Sequence, residues 1–195
     1  MGARDDKVRL VWPEIAVAAD ILVFARRAEP FHPETRDREM GDGQPDFQES
    51  GEHGSEDPEH SEESGSDAKR TELAAYFDIL LVKRAYPPFE GCYAIPGGGV
   101  EIAEDLPDAA RRELMEETGI EPETLAQFRA YGAPGRDPRC RTVSVVYWTI
   151  IDREKSSERA GSDAKEIRWF PLLDLPDLAF DHSQVIADAV KVLFA

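Results

Sequence analysis

The chain has 195 residues, the size of one ordinary domain, and 41% of them are hydrophobic, enough for a real core. Its formal net charge of -17 argues against nucleic-acid or anionic-membrane binding by broad electrostatic attraction. A phosphorylated ligand would therefore need locally placed cations, either metal ions or a few arginines.

Near the start, Arg4, Asp5, Asp6 and Lys7 precede a stretch, Val8 to Phe24, interrupted by Glu14 and Asp20. It is too charged for a signal peptide and too short to span a bilayer. Within it, Ile15 to Phe24 is apolar and β-branched enough for a buried strand, and Tyr76 to Lys83 is a second. Between them, Glu29 to Glu72 holds fifteen acidic residues against four basic ones and almost no aliphatic residues. Such a composition cannot bury enough apolar surface to offset its ordering entropy. Residues from Pro30 to about Arg70 are accordingly expected to be a disordered or loosely held insertion in one domain spanning 1–195. A solvated linker is its plainest role, and an acidic interaction segment the alternative.

A Pro/Gly-rich passage, Pro87 to Gly99, leads to a helix. Asp105 suits its N-cap, Pro107 its first turn, and Gly119 a left-handed stop. Leu106, Ala110 and Leu114 form its apolar stripe. Strands follow at Leu125 to Tyr131 and Thr142 to Asp152, separated by a turn at Gly132 to Arg141. Ile167 to Pro171 is short and extended. Asp181 or Ser183 opens a last amphipathic helix with Val185, Ile186, Ala189, Val192 and Leu193 on or near one face. Strands and helices are mixed rather than strictly alternating, which predicts an α/β/α sandwich on a mixed sheet. Cys92 and Cys140 lack the spacing of a disulfide framework or zinc site, so a reducing cytoplasm is the expected compartment.

The segment with chemistry is Pro96 to Ile120, PGGGVEIAEDLPDAARRELMEETGI. Glu113, Glu116 and Glu117 are three and four positions apart and share one helix face, where they repel. A hard divalent cation relieves that repulsion, and Mg²⁺ suits a few carboxylates combined with substrate phosphates. Gly97 and Gly98 let the backbone approach closely to metal or phosphate. Arg112 can hold a neighbouring carboxylate in one orientation. A solvated charged helix is the bland alternative; it explains any single glutamate better than it explains the whole set beside three glycines.

Gly98, Glu104 after five residues, then Arg112-Glu113 after seven, Leu114, Glu116-Glu117, Gly119 and Ile120 fill every specified position of G-x5-E-x7-R-E-U-x-E-E-x-G-U, with U aliphatic. This resembles the Nudix box. Ala103 stands where the wider pattern usually has glycine. The resemblance implies a Nudix fold and hydrolysis of a nucleoside diphosphate linkage. Mg²⁺, or Mn²⁺ in its place, would be held by Glu113, Glu116 and Glu117. Glu113, Glu116 and Arg112 would serve catalysis, and the general base would be Glu113, Glu116, Asp163 or Glu166. Outer stretches around Tyr131–Val145, Asp163–Phe170 and Leu178–Val190 resemble the ADP-ribose pyrophosphatase group.

That resemblance makes ADP-ribose the expected substrate, cleaved to AMP and ribose 5-phosphate. Another nucleotide sugar or an oxidised nucleoside triphosphate is the enzymatic alternative, and a non-catalytic ADP-ribose sensor is the alternative of a different class. Gly97, Gly98, Arg136 and Arg139 are the expected substrate contacts, although Arg136 and Arg139 could equally pair with local acids. Phe89 or Tyr93 could stack on a base, and Asp181 and His182 fit a structural role better than a catalytic one. A small-molecule nucleotide is the expected partner, with no nucleic acid and no membrane. No DNA-binding domain is expected after the last helix. Relatives of this kind imply a homodimer.

Overall fold

The computed structural model describes residues 15–33, 61–153 and 164–195. One mixed sheet organises them. Strands β1 (Ala16–Arg26), β2 (Phe77–Arg84), β3 (Tyr93–Ala94), β4 (Gly97–Gly99), β5 (Ala126–Tyr131), β6 (Thr142–Ile151) and β7 (Ala164–Pro171) are joined by helices α1 (Ser61–Ala74), α2 (Leu106–Thr118) and α3 (His182–Leu193). The strand order is β3-β2-β1-β6-β5, with β4 also pairing with β1 and β7 with β2. Among the described strand pairs, β1 and β6 run parallel and the others are antiparallel.

The central strands are apolar on both faces, as burial between two helical layers requires. On β1, Leu22 and Phe24 face a core completed by Val185, Ile186 and Ala189 of α3. The alternate residues Ala19, Ile21 and Val23 face Ala109, Ala110 and Leu114 of α2. The expected sandwich is therefore present, with one helix on each side. Along α3, Val185, Ile186 and Ala189 are buried, whereas Val192, in the last turn of the helix, is exposed.

Two features depart from the sequence reading. Helix α1 covers residues 61–74, including part of the stretch expected to be loosely held. Its C-terminal Ala74 is fully buried in the α3-side core, and the Thr71 hydroxyl bonds the Asp67 carbonyl one turn back. The remainder of the acidic segment, 34–60, lies outside the described residues. The Pro/Gly-rich passage also contains two short strands, which glycine, lacking side chains, does not announce through periodicity. Among the described residues, no helix is long and apolar enough to cross a membrane.

Candidate active site

Helix α2 begins at Asp105, whose carboxylate accepts the Leu106 N–H at 2.8 Å, and ends at Gly119 with φ 72°. Its apolar side is fixed on the sheet by Ala109, Ala110 and Leu114, which turns the glutamate side toward β4. Strand β4 lies along β1 with Gly97 opposite Asp20 and Gly98 opposite Ala19. The glycines are needed there. A Cβ on Gly98 would sit 2.5 Å from the Glu113 carboxylate. One on Gly97, whose φ is 151°, would meet Asp20 and the Ala19 carbonyl at the same distance. The Gly97 N–H donates to Glu117 Oε2 at 3.0 Å.

Arg112 organises the acids. It donates to Glu104 through Nε and Nη2 at 2.8 and 2.9 Å, to Glu113 through Nη1 at 2.7 Å, and to the Gly99 carbonyl at 3.0 Å. These carboxylates hold its guanidinium above the ordinary range, and its bond draws the Glu104 carboxyl below its own. Glu113 behaves differently: burial raises it despite the Arg112 contact. Glu117 is pushed up to about 7, first by burial, then by the charges of Glu113 and Asp20, against the pull of the Gly97 bond. Two carboxylates are thus kept where ionisation is costly.

A cavity of about 610 Å³ opens over this arrangement. Glu113, Glu117, Gly97, Gly98, Arg136 and Arg139 all line it, so most of the expected site residues meet in one place. Glu116 does not. Its side chain is 59% exposed, and its carboxylate accepts from Arg112 at 3.3 Å. Of the candidate bases outside the helix, Glu166 does not line the cavity but pairs at 3.5 Å with Lys83, which does, and Asp163 lies outside the described residues. Tyr93 is a core residue, stacked edge-on with Phe170.

Two lining residues, Asp20 and Arg84, escaped the sequence reading, and a third, His182, takes the structural role expected of it. Asp20 is buried mid-strand and accepts a hydrogen bond from the Ser144 hydroxyl. Arg84 ends β2. His182 is buried, and its Nδ1 accepts the Ile95 N–H at 2.9 Å, which ties the start of α3 to the segment before β4. In sequence terms Asp20 merely interrupts an apolar run, Arg84 looks like a strand end, and His182 lies 87 positions from the amide it binds.

The donors fit a hard divalent cation: they are carboxylate oxygens, destabilised together by burial, beside a backbone where only glycine fits. Among the described residues, no three His, Cys, Asp or Glu side chains already converge as a ligand group. Arg112 instead occupies Glu104 and Glu113.

The chain matches the NUDIX domain family over residues 66–189. An ADP-ribose pyrophosphatase of Methanocaldococcus jannaschii is 45% identical over 113 residues, 58% of this chain and 66% of that protein. The ADPR responsive transcriptional repressor NtrR of Acinetobacter baylyi is 36% identical over 116 residues, 57% of this chain and 46% of that protein. The chain thus spans less than two thirds of the length of these curated relatives. Among solved structures, the NUDIX domain of Shewanella oneidensis NrtR complexed with ADP ribose aligns with a TM-score of 0.65 at 21% identity, covering 93% of this chain and 90% of that one. That likeness concerns the fold. With the family match covering more than half the chain and the glutamate helix set against its glycine strand, the protein belongs to the NUDIX domain family.

Proposed function

We propose that the chain is a divalent-metal-dependent pyrophosphohydrolase that cleaves ADP-ribose to AMP and ribose 5-phosphate. The observation that carries this reading is the pair of destabilised carboxylates, Glu113 and Glu117, packed against Gly97 and Gly98 in a cavity that also holds arginines. A cation at the glutamates and guanidinium groups in the same cavity are what a bridging diphosphate requires. The 45% identity to an ADP-ribose pyrophosphatase supports the substrate.

In this reading Glu113 and Glu117 hold the cation, Mg²⁺ or Mn²⁺, and Glu116 reaches it from the rim. When bound, the cation neutralises the phosphates and lowers the pKa of water. Arg112 keeps Glu113 oriented, and the fixed β4 backbone sets how closely the phosphates approach. Glu113, or Glu116 by rotation of its exposed side chain, takes the proton from the attacking water. A small-molecule nucleotide, rather than nucleic acid, is the ligand.

A panel of ADP-ribose, other nucleoside diphosphate sugars and oxidised nucleoside triphosphates, each with Mg²⁺ and with Mn²⁺, tests this through kcat/KM. ADP-ribose should lead. The similarity to an ADPR responsive repressor favours a second reading, a sensor, whose signature is tight ADP-ribose binding with no turnover of any compound.

A further inference from the structure

The two cavity arginines that the sequence singles out are already engaged by protein carboxylates. Arg136 lays Nε and Nη2 on both oxygens of Asp181 at 2.9 and 2.7 Å, and its side chain is only 6% exposed. Arg139 grips Asp137 through Nε and Nη2 at 3.0 and 2.7 Å. Arg84 is held differently. Its guanidinium bonds only backbone carbonyls, Pro88 from Nε at 2.8 Å and Tyr86 from Nη2 at 3.4 Å. Among the described residues, no carboxylate forms a salt bridge with it. The chain has 40 acidic and 23 basic residues, so acids are abundant, and a cavity arginine left without one retains a full charge for a ligand.

The seat of Arg84 is built at a cost. Its guanidinium carbon lies 4.8 Å from the centroid of the Phe180 ring, and Arg139 lies 5.4 Å from the same ring. Phe180 has φ 55°, and its edge-on partner Phe89, 4.9 Å away, has φ 62°. Left-handed backbone at non-glycine residues is strained and persists where the surroundings demand it. The aromatic seat also brings two cations together. Burial, and then the Arg139 charge, hold the Arg84 guanidinium below its ordinary range, with Asp137 and Glu117 pulling the other way. An anion beside Arg84 relieves both effects. Glu117 lies within electrostatic reach of Arg84, so that anion would sit next to the glutamate assigned to the cation.

We infer that Arg84, presented by Phe180, is the cation of the cavity that binds the diphosphate of the substrate, while Arg136 is a positioning residue that ties the turn before β6 to the start of α3. The inference rests on the reading of the cavity as a nucleoside diphosphate site. Arg84 keeps Nη1 and one Nη2 hydrogen to donate, which suits two oxygens of a phosphate.

The test is calorimetric titration of the full chain with inorganic pyrophosphate in Mg²⁺, alongside ADP-ribose kinetics. Arg84→Gln should weaken pyrophosphate binding about tenfold or more and raise KM for ADP-ribose more than it lowers kcat. Arg84→Lys should recover part of the loss, and Arg139→Gln, whose guanidinium is already gripped by Asp137, should lose clearly less than Arg84→Gln. If Arg84→Gln fails to fold, Phe180→Leu carries the test, because it removes the seat and keeps the charge; it should weaken binding several-fold, and wild-type affinity in it contradicts the inference. Affinity unchanged in Arg84→Gln, no measurable pyrophosphate binding by wild type, or an equal loss in Arg139→Gln overturns the assignment. Wild-type turnover with unchanged Arg84→Gln affinity overturns the assignment alone. Affinity lost in Arg84→Gln without any wild-type turnover contradicts the hydrolase reading and upholds the assignment.

Discussion

Glu117 is half-buried, accepts the Gly97 N–H, and has its carboxyl pushed up to about 7 from 4.5. The folded state therefore binds this proton more tightly than the unfolded chain does. The stability so gained is complete below pH 4.5 and is lost as pH rises through about 7. In metal-free protein, Glu117→Gln should match wild type near pH 4 and be more stable at pH 8, by no more than about 3 kcal/mol. Denaturant unfolding at the two pH values checks this, and a variant less stable than wild type at pH 8 would contradict it. The same substitution should lower turnover on the order of 10²–10³-fold with the fold retained. His182 has the opposite sign. Burial holds its imidazole below the ordinary range, against the nearby Asp20 and Asp181 charges. Its contribution is present above pH 6.5 and is lost as pH falls through the depressed value. His182→Asn, which keeps an acceptor for Ile95, should therefore lose less stability than wild type between pH 7 and 5. Thermal melts across that range measure it. The glutamates were legible in the sequence because their three-and-four spacing is local. Asp20 and Arg84 were not, because their neighbours come from distant parts of the chain.

Strand β4 contains three adjacent glycines with three different roles. Gly98→Ala forces a Cβ against the Glu113 carboxylate, so activity should fall far more than stability. Gly97→Ala meets backbone at φ 151° and should cost about 1–3 kcal/mol or more. Gly99→Ala meets nothing within 4 Å and should stay within about 0.5 kcal/mol of wild type. Denaturant midpoints and kcat for the three variants separate these roles, and equal behaviour would contradict the packing described. The long elements β1, β2, β6, α2 and α3 could be read from apolar patterning, caps and stops. Strands β3 and β4 could not, since two or three residues carry no period and glycine carries no side-chain pattern. Helix α1 was hidden by its acidic composition. Its order comes from Ala74 in the core, a tertiary contact that local composition cannot report.

At the scale of the molecule, each face of one mixed sheet is sealed by a helix, and the site forms where the helix of one face meets a short glycine strand. The sandwich was legible because it follows from which residues are apolar. The cavity was only half legible: its acidic part is a contiguous motif, whereas its cationic part assembles from β2, the turn before β6 and the start of α3. Residues 34–60 are rich in acidic residues and nearly empty of aliphatic ones, so their deletion should leave the midpoint of unfolding close to wild type. Extending the deletion through Ala74 should lower it. The central claim is that Glu113 and Glu117 make this cavity a metal-dependent ADP-ribose hydrolase. Its most direct test is chromatographic measurement of AMP released from ADP-ribose by wild type and Glu117→Gln, with Mg²⁺ and with chelator. The account predicts equimolar AMP and ribose 5-phosphate only from wild type with Mg²⁺; no AMP from wild type, or undiminished AMP from Glu117→Gln or under chelation, would contradict it.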